Sequence, residues 1–214
     1  MNNQFLQKLK TAAKHFKAIA VVFLVIVLIC YAIYAFFRFN YISNRDTALE
    51  KINSTVLTLA DVMGTNLPKM PDEELNNSTI GGIDANNNTI RDDVELTIFE
   101  KYPDSAKMRA ALLQYAQALQ LELTAVNSEE VMKVFLEKNS SAYSCIADAL
   151  KSQIDINNWQ NFSSVWDEKD RELKDLVLNT GMRKNHYNGI YDRYMVSSAS
   201  PDRDCDIDLS TLSD

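Results

Sequence analysis

Glycine and proline are scarce in this chain, five and four among 214 residues. That excludes a collagen-like repeat, a glycine-rich linker protein and a turn-rich β-sandwich. Histidine is scarcer still: two residues, His15 near the N-terminus and His186. A Ser, Cys or Thr nucleophile needs a base beside it, and His186 is the one histidine in the body of the chain. Two cysteines and one His in the body are also too few for a Cys/His zinc site. G-x-S-x-G, H-E-x-x-H, G-x-x-x-x-G-K and G-x-G-x-x-G are all missing. Positive charge is in deficit, with a net charge of -7 and a pI of about 4.9, which argues against a general nucleic-acid binder. What is present is a 46% apolar, 24% charged chain, the composition of a folded protein.

The charge is unevenly placed. Residues 1–17 carry Lys8, Lys10, Lys14 and Lys17 and no acid, giving +4. Residues 18–37 carry no charge, so 38–214 hold the other 18 basic and all 29 acidic residues, giving -11. The neutral stretch Ala18–Phe37 is 20 residues long. As a helix it covers about 30 Å, the thickness of a bilayer core. Tyr31, Tyr34, Phe36 and Phe37 gather at its C-terminal end, where aromatic rings favour the interface. The lysines on the other flank place the N-terminus in the cytoplasm and the acidic body outside, although Arg38 and Arg45 oppose this. A cleaved signal peptide would have a shorter apolar core ending in small residues, and here Tyr, Phe and Arg follow. A lipoprotein signal would need a small residue before Cys30, where Ile29 stands. The reading is an uncleaved single-pass anchor.

An exported body suits a disulfide. Cys145 and Cys205 are an even pair in the body and would close a 60-residue span, worth about 4 kcal/mol by loop-closure entropy. Two unpaired thiols are the alternative.

Periodicity is helical throughout, with no sustained period-2 alternation. Ala48, Leu49, Ile52, Val56, Leu59 and Val62 predict a stalk helix over 38–63. The segment 64–83, with Gly64, Pro68, Pro71, Gly81 and Gly82, predicts a loop. Val94, Ile98 and Tyr102 share a face of a helix from Asp92 that ends at Pro103, and Asp104 or Ser105 caps the next. Met108, Leu112, Tyr115, Leu119 and Leu123 make that next helix amphipathic. Ser128 caps a further helix with acids in its first turn, with a break placed at Asn139. Trp159, Phe162 and Trp166 fall in an Asn-rich connector before a helix over Asp170–Asn179. Tyr187, Ile190, Tyr191 and Tyr194 form a last stripe. From 197 the tail is acidic; Asp202, Asp204, Asp206 and Asp208 alternate, and the reading is a solvated tail tethered by Cys205. A second cation site there is the alternative. The fold class expected is all-α: a transmembrane helix, then a small helical bundle over 92–196. The aromatic stripes are read as core rather than as a ligand groove.

One segment carries chemistry. Asp84–Glu95 reads D-A-N-N-N-T-I-R-D-D-V-E. Asp84, Asn86, Asn88, Asp92 and Glu95 occupy the first, third, fifth, ninth and twelfth places, and the Ile90 carbonyl the seventh. Calcium takes six to eight hard oxygens at about 2.3–2.6 Å, which this spacing supplies from alternate residues of a coiled loop and a closing Glu on the next helix. The segment resembles the EF-hand-type loops of dockerins and thrombospondin type 3 repeats, with their Ile-x-Asp-x-x-Glu ending at Ile90–Glu95. The run also resembles an Asn-rich segment of uncharacterised Gram-negative envelope proteins. The resemblance implies a calcium ligand set of Asp84, Asn86, Asn88, Ile90, Asp92 and Glu95. Three departures stand beside it. Thr89 takes the place of a Gly that needs positive φ. Only Asp84, Asp92 and Glu95 are charged, and no helix precedes the loop across Ser78–Ile83. These favour a structural site filled at about 0.1–1 mM calcium over a micromolar sensor. The alternative is an Asx-rich turn before a helix capped by Thr89-x-x-Asp92.

These readings combine into a single-pass inner-membrane protein with a periplasmic, calcium-stabilised domain that binds another envelope component. The alternative is an envelope enzyme acting on cell-wall glycan or peptide through an unrecognised site.

Overall fold

The computed structural model describes residues 3–151, 154, 159–194, 196–197 and 205–214. Two units are distinct: Met1–Asn44 and Arg45–Asp214.

The first unit is helical and belongs to α1 (Asn3–Ser54). It contains a helix long and apolar enough to cross a membrane. Its large apolar side chains from Ile19 to Phe39 are all exposed, between 46% and 71%. A helix that is apolar on every side and covered on none suits hydrocarbon, where its own hydrogen bonds satisfy the backbone.

The second unit is built around α5 (Ala106–Ala125). The sequence predicts an amphipathic helix here, yet 18 of its 20 residues are buried. The reason is its central place: α2 (Leu59–Met63), α4 (Asp92–Lys101), α6 (Glu129–Leu150), α7 (Trp159–Val177) and α8 (Gly181–Arg193) all pack on it. Six alanines, among them Ala110, Ala111, Ala116 and Ala118, let those neighbours approach closely. No strand occurs among the described residues.

Local sequence sets the ends. The Ser105 hydroxyl accepts from the Met108 N–H and the Ser128 hydroxyl from the Val131 N–H, both as the sequence predicts. Cys145 and Cys205 are bonded, with Cα atoms 4.9 Å apart.

Several boundaries differ from expectation. The stalk helix does not run to residue 63: α1 ends at Ser54, and a capping box between Thr58 and Asp61 starts α2 afresh. The 64–83 loop holds a short helix, α3 (Glu73–Asn77), capped by Asp72. α6 passes through Asn139 without a break, because Phe135, Ala142, Cys145 and Ile146 keep one buried face continuous. α7 begins at Trp159, so the supposed connector is helix and joins the segment from Asp170.

The tail is not simply solvated. Asp206 accepts from the Leu57 N–H at 2.9 Å and its own N–H donates to Gln114 at 2.8 Å. Asp208 caps a 3-10 turn at Leu209–Thr211, and Leu212 is buried. Asp202 and Asp204 lie outside the described residues.

Candidate metal centre

Two buried arginines fix the ends of the segment that leads into and out of Asp84–Glu95. Arg183 on α8 is fully buried. It donates to the carbonyls of Asn76, Thr79 and Ile80 and to the side-chain oxygens of Asn77 and Asn179. Five acceptors for five N–H groups satisfy the guanidinium without a carboxylate. Burial and the nearby Arg91 push it down to about 10. Arg91, also fully buried, forks onto Asp93 and donates to the carbonyls of Leu176 and Val177 at the end of α7. These carbonyls belong to the last turn of a helix and lack intrahelical partners.

The glutamines of α5 hold the same segment from below. Gln117 donates to the Asn88 carbonyl at 2.8 Å and Gln120 to the Gly81 carbonyl. Gly82 turns the chain at φ +67, and a Cβ there would lie 2.2 Å from Arg91 Cδ. Asn76 closes the turn by accepting from the Ile83 N–H at 2.8 Å.

Within the loop the chain coils around Asp84. Its carboxylate accepts from the backbone N–H of Asn88 at 3.2 Å and of Thr89 at 2.9 Å. Asn88 Oδ1 accepts from the Ile90 N–H at 2.9 Å, and Asp92 Oδ1 from the Ala85 N–H at 2.9 Å. Thr89 has φ 66 and Asn87 φ 59. Thr89 therefore adopts the left-handed conformation at the place where a glycine is usual, despite its β-branch. The alternative of a Thr89-x-x-Asp92 cap is not what forms: the residue before α4 is Arg91, and it makes no side-chain cap bond.

Glu95 stands on the first turn of α4 and is 1% exposed. It accepts from Asn86 Nδ2 at 3.0 Å and Asn88 Nδ2 at 3.1 Å. Burial, with Asp61 and Asp92 nearby, pushes its carboxyl up to about 7. Burial also raises Asp84 and Asp92 above the ordinary carboxylate range. The structure thus brings Asp84, Asn86, Asn88, Ile90, Asp92 and Glu95 around one loop. It does not bring three His, Cys, Asp or Glu side chains together as a metal-holding group among the described residues. The two amides stand between the acids and tie up Glu95.

Asp61 is the neighbour that sequence reasoning missed. It is 7% exposed, its Oδ1 lies 3.5 Å from Asn88 Nδ2, and it acts on Glu95 electrostatically. The T-x-x-D box starting at Thr58 was the available signal, but it speaks of a helix cap and not of a neighbour 27 residues away.

Elsewhere, His186 Nε2 contacts the Leu123 carbonyl at 3.1 Å, a role in tying α8 to α5. A groove of about 370 Å³ is lined by Ile98, Tyr102, Leu112 and Leu173, with Glu172 at its edge. Lys101 and Lys169 pair with Glu172, and they outweigh burial to hold it below the usual carboxylate range, the wrong direction for a general acid.

No protein-family model, curated protein or solved structure matches the chain.

Proposed function

We propose that the chain is a membrane-anchored interaction domain, held on the outer face of the cytoplasmic membrane and stabilised by calcium in the loop Asp84–Glu95. The observation that carries the metal reading is the left-handed conformation of Thr89. A β-branched residue in that region costs about 1–2 kcal/mol, and an ordinary Asx turn has no need of it. Buried acids that ionise with difficulty supply a second support, because a cation would offset their mutual repulsion. Asp84, Asp92, Glu95 and the Ile90 carbonyl would hold the ion, and Asn86 and Asn88 would turn their Oδ1 atoms toward it. An apolar helix near the N-terminus and a disulfide in the body support the extracytoplasmic placement.

Isothermal titration of the full chain in detergent with calcium tests the reading. One ion per chain is expected, at a Kd of about 0.1–1 mM. The variant Asp84→Ala with Glu95→Ala should bind none. Equal heats from both proteins would remove the metal reading.

A further inference from the structure

In the unit Arg45–Asp214, the exposed large apolar side chains are concentrated in one stretch. Val56, Leu59, Met63, Leu67, Met70 and Leu75 are between 39% and 67% exposed, and among the described residues outside that stretch only Met182 joins them. Single exposed apolar residues are ordinary, but six within residues 56–75 are an unusual concentration.

Local geometry gathers three of them, Leu59, Met63 and Leu67, into a ridge along α2. Leu59 and Met63 are four apart on α2 and share its outer face, while Asp61 and Val62 are buried on the inner one. A Cβ on Gly64 would lie 3.1 Å from Leu67 Cδ1, so the Leu67 side chain folds back over Gly64, the residue that ends α2. The ridge rests on the loop: besides the Asp61 contact with Asn88, the Asn66 carbonyl accepts from Asn86 Nδ2 at 3.1 Å.

Charge selects the occupant. The exposed charged residues of the stretch are Lys69, Asp72, Glu73 and Glu74, one cation against three anions. A second copy would set this acidic rim against its own. An anionic lipid surface would be repelled, and one Lys with no Trp, Tyr or Arg gives interfacial anchoring little to use. A polypeptide with apolar residues flanked by Lys or Arg fits both features. Methionine at two of the positions suits a surface that adapts to a helix laid across it.

We propose that Leu59, Met63, Leu67 and Met70 dock a helix of a partner protein whose contact face is apolar and flanked by basic side chains. This rests on the interaction reading above and names its surface and the partner's chemistry. The test uses the full chain in zwitterionic phosphatidylcholine nanodiscs, with empty nanodiscs as background. The probes are fluorescein-labelled amphipathic helices of Leu and Lys, or of Leu and Glu, read by anisotropy. The Leu/Lys helix should bind at least about tenfold more tightly than the Leu/Glu helix, and Met63→Ser with Met70→Ser should weaken it by about tenfold. Both positions are exposed, so the fold should survive, which circular dichroism checks. Unchanged binding by the variant would overturn the proposal, because attraction to the acidic body would then explain it. So would a sedimentation shift from oligomer to monomer in the variant, which would make the occupant a second copy. Peptide binding that survives in a chain shown to hold no calcium would retain the docking surface and remove only the metal reading.

Discussion

Replacing Gly82 with alanine should unfold the segment that carries the candidate site. Gly82 sits at φ +67, where a side chain costs about 1–2 kcal/mol. The new Cβ would also lie 2.2 Å from Arg91 Cδ, 2.8 Å from Arg91 Cγ and 2.7 Å from Asn76 Oδ1. Those separations require Arg91 to move. Arg91 has no exposed surface into which to swing, and moving it strains its bonds to the Leu176 and Val177 carbonyls. A hydrogen bond to a charged group is worth about 1.5–3 kcal/mol, so partial loss of two adds about 2–3 kcal/mol. The total is about 3–5 kcal/mol. For a folding unit of this size each kcal/mol lowers the midpoint by about 2–4 °C, so a fall of about 6–20 °C follows. Thermal unfolding of the full chain in detergent, followed by near-UV circular dichroism, reads the body without the membrane helix. A fall of less than about 2 °C would refute the reasoning, because it would mean that Arg91 is not held against Gly82.

Thr89→Gly should raise the midpoint in the absence of metal by about 2–4 °C, since relief of the left-handed strain exceeds the added entropy of the unfolded chain; a lowered midpoint would show that Thr89 is not strained. Replacing both Cys145 and Cys205 by alanine should cost about 4 kcal/mol, and the variant's midpoint should ignore dithiothreitol while the parent's falls. Glu122 is 1% exposed, and burial, only partly offset by the Tyr191 hydroxyl and Lys174, pushes its carboxyl up to about 7. Its folded value lies above the unfolded one, so it favours the native state below about pH 4.5, and that stability is lost as pH rises to about 7. Glu122→Gln should therefore flatten the decline of the midpoint over that window, by up to about 3 kcal/mol; an unchanged slope in urea unfolding across pH would contradict the burial argument.

Features that depend on neighbours in sequence were legible. The uncharged run 18–37, the Ser105 and Ser128 caps and the end of α4 before Pro103 each follow from residues a few places apart. The Cys145–Cys205 bond was expected from an even pair in a body read as exported, with two unpaired thiols as the alternative. Long-range polar packing was not. The burial of Arg91 and Arg183 has no local signal, because nothing nearby in sequence shows that carbonyls 85 and 103 residues away will meet them. α5 read as one-sided, since Gln114, Gln117, Gln120 and Glu122 look like a solvated face until their distant partners close over them. For the candidate site, spacing identified the residues that share the loop and the place where positive φ is required. The hydrogen bonds that the Asn86 and Asn88 side-chain amides donate to Glu95, and the arrival of Asp61, lay beyond it.

The central claim is that calcium in Asp84–Glu95 stabilises the body, and thermal unfolding of the full chain in excess EDTA and in millimolar calcium tests it most directly. A ligand that binds only the folded state stabilises it by RT ln(1 + [L]/Kd), about 1–2 kcal/mol at about 5 mM calcium. The account predicts a rise in midpoint of about 2–8 °C for the parent and none for Asp84→Ala with Glu95→Ala. A parent midpoint that is the same in EDTA and in calcium would contradict it and leave the loop as an Asn-rich turn fixed by Arg91, Arg183 and the glutamines of α5.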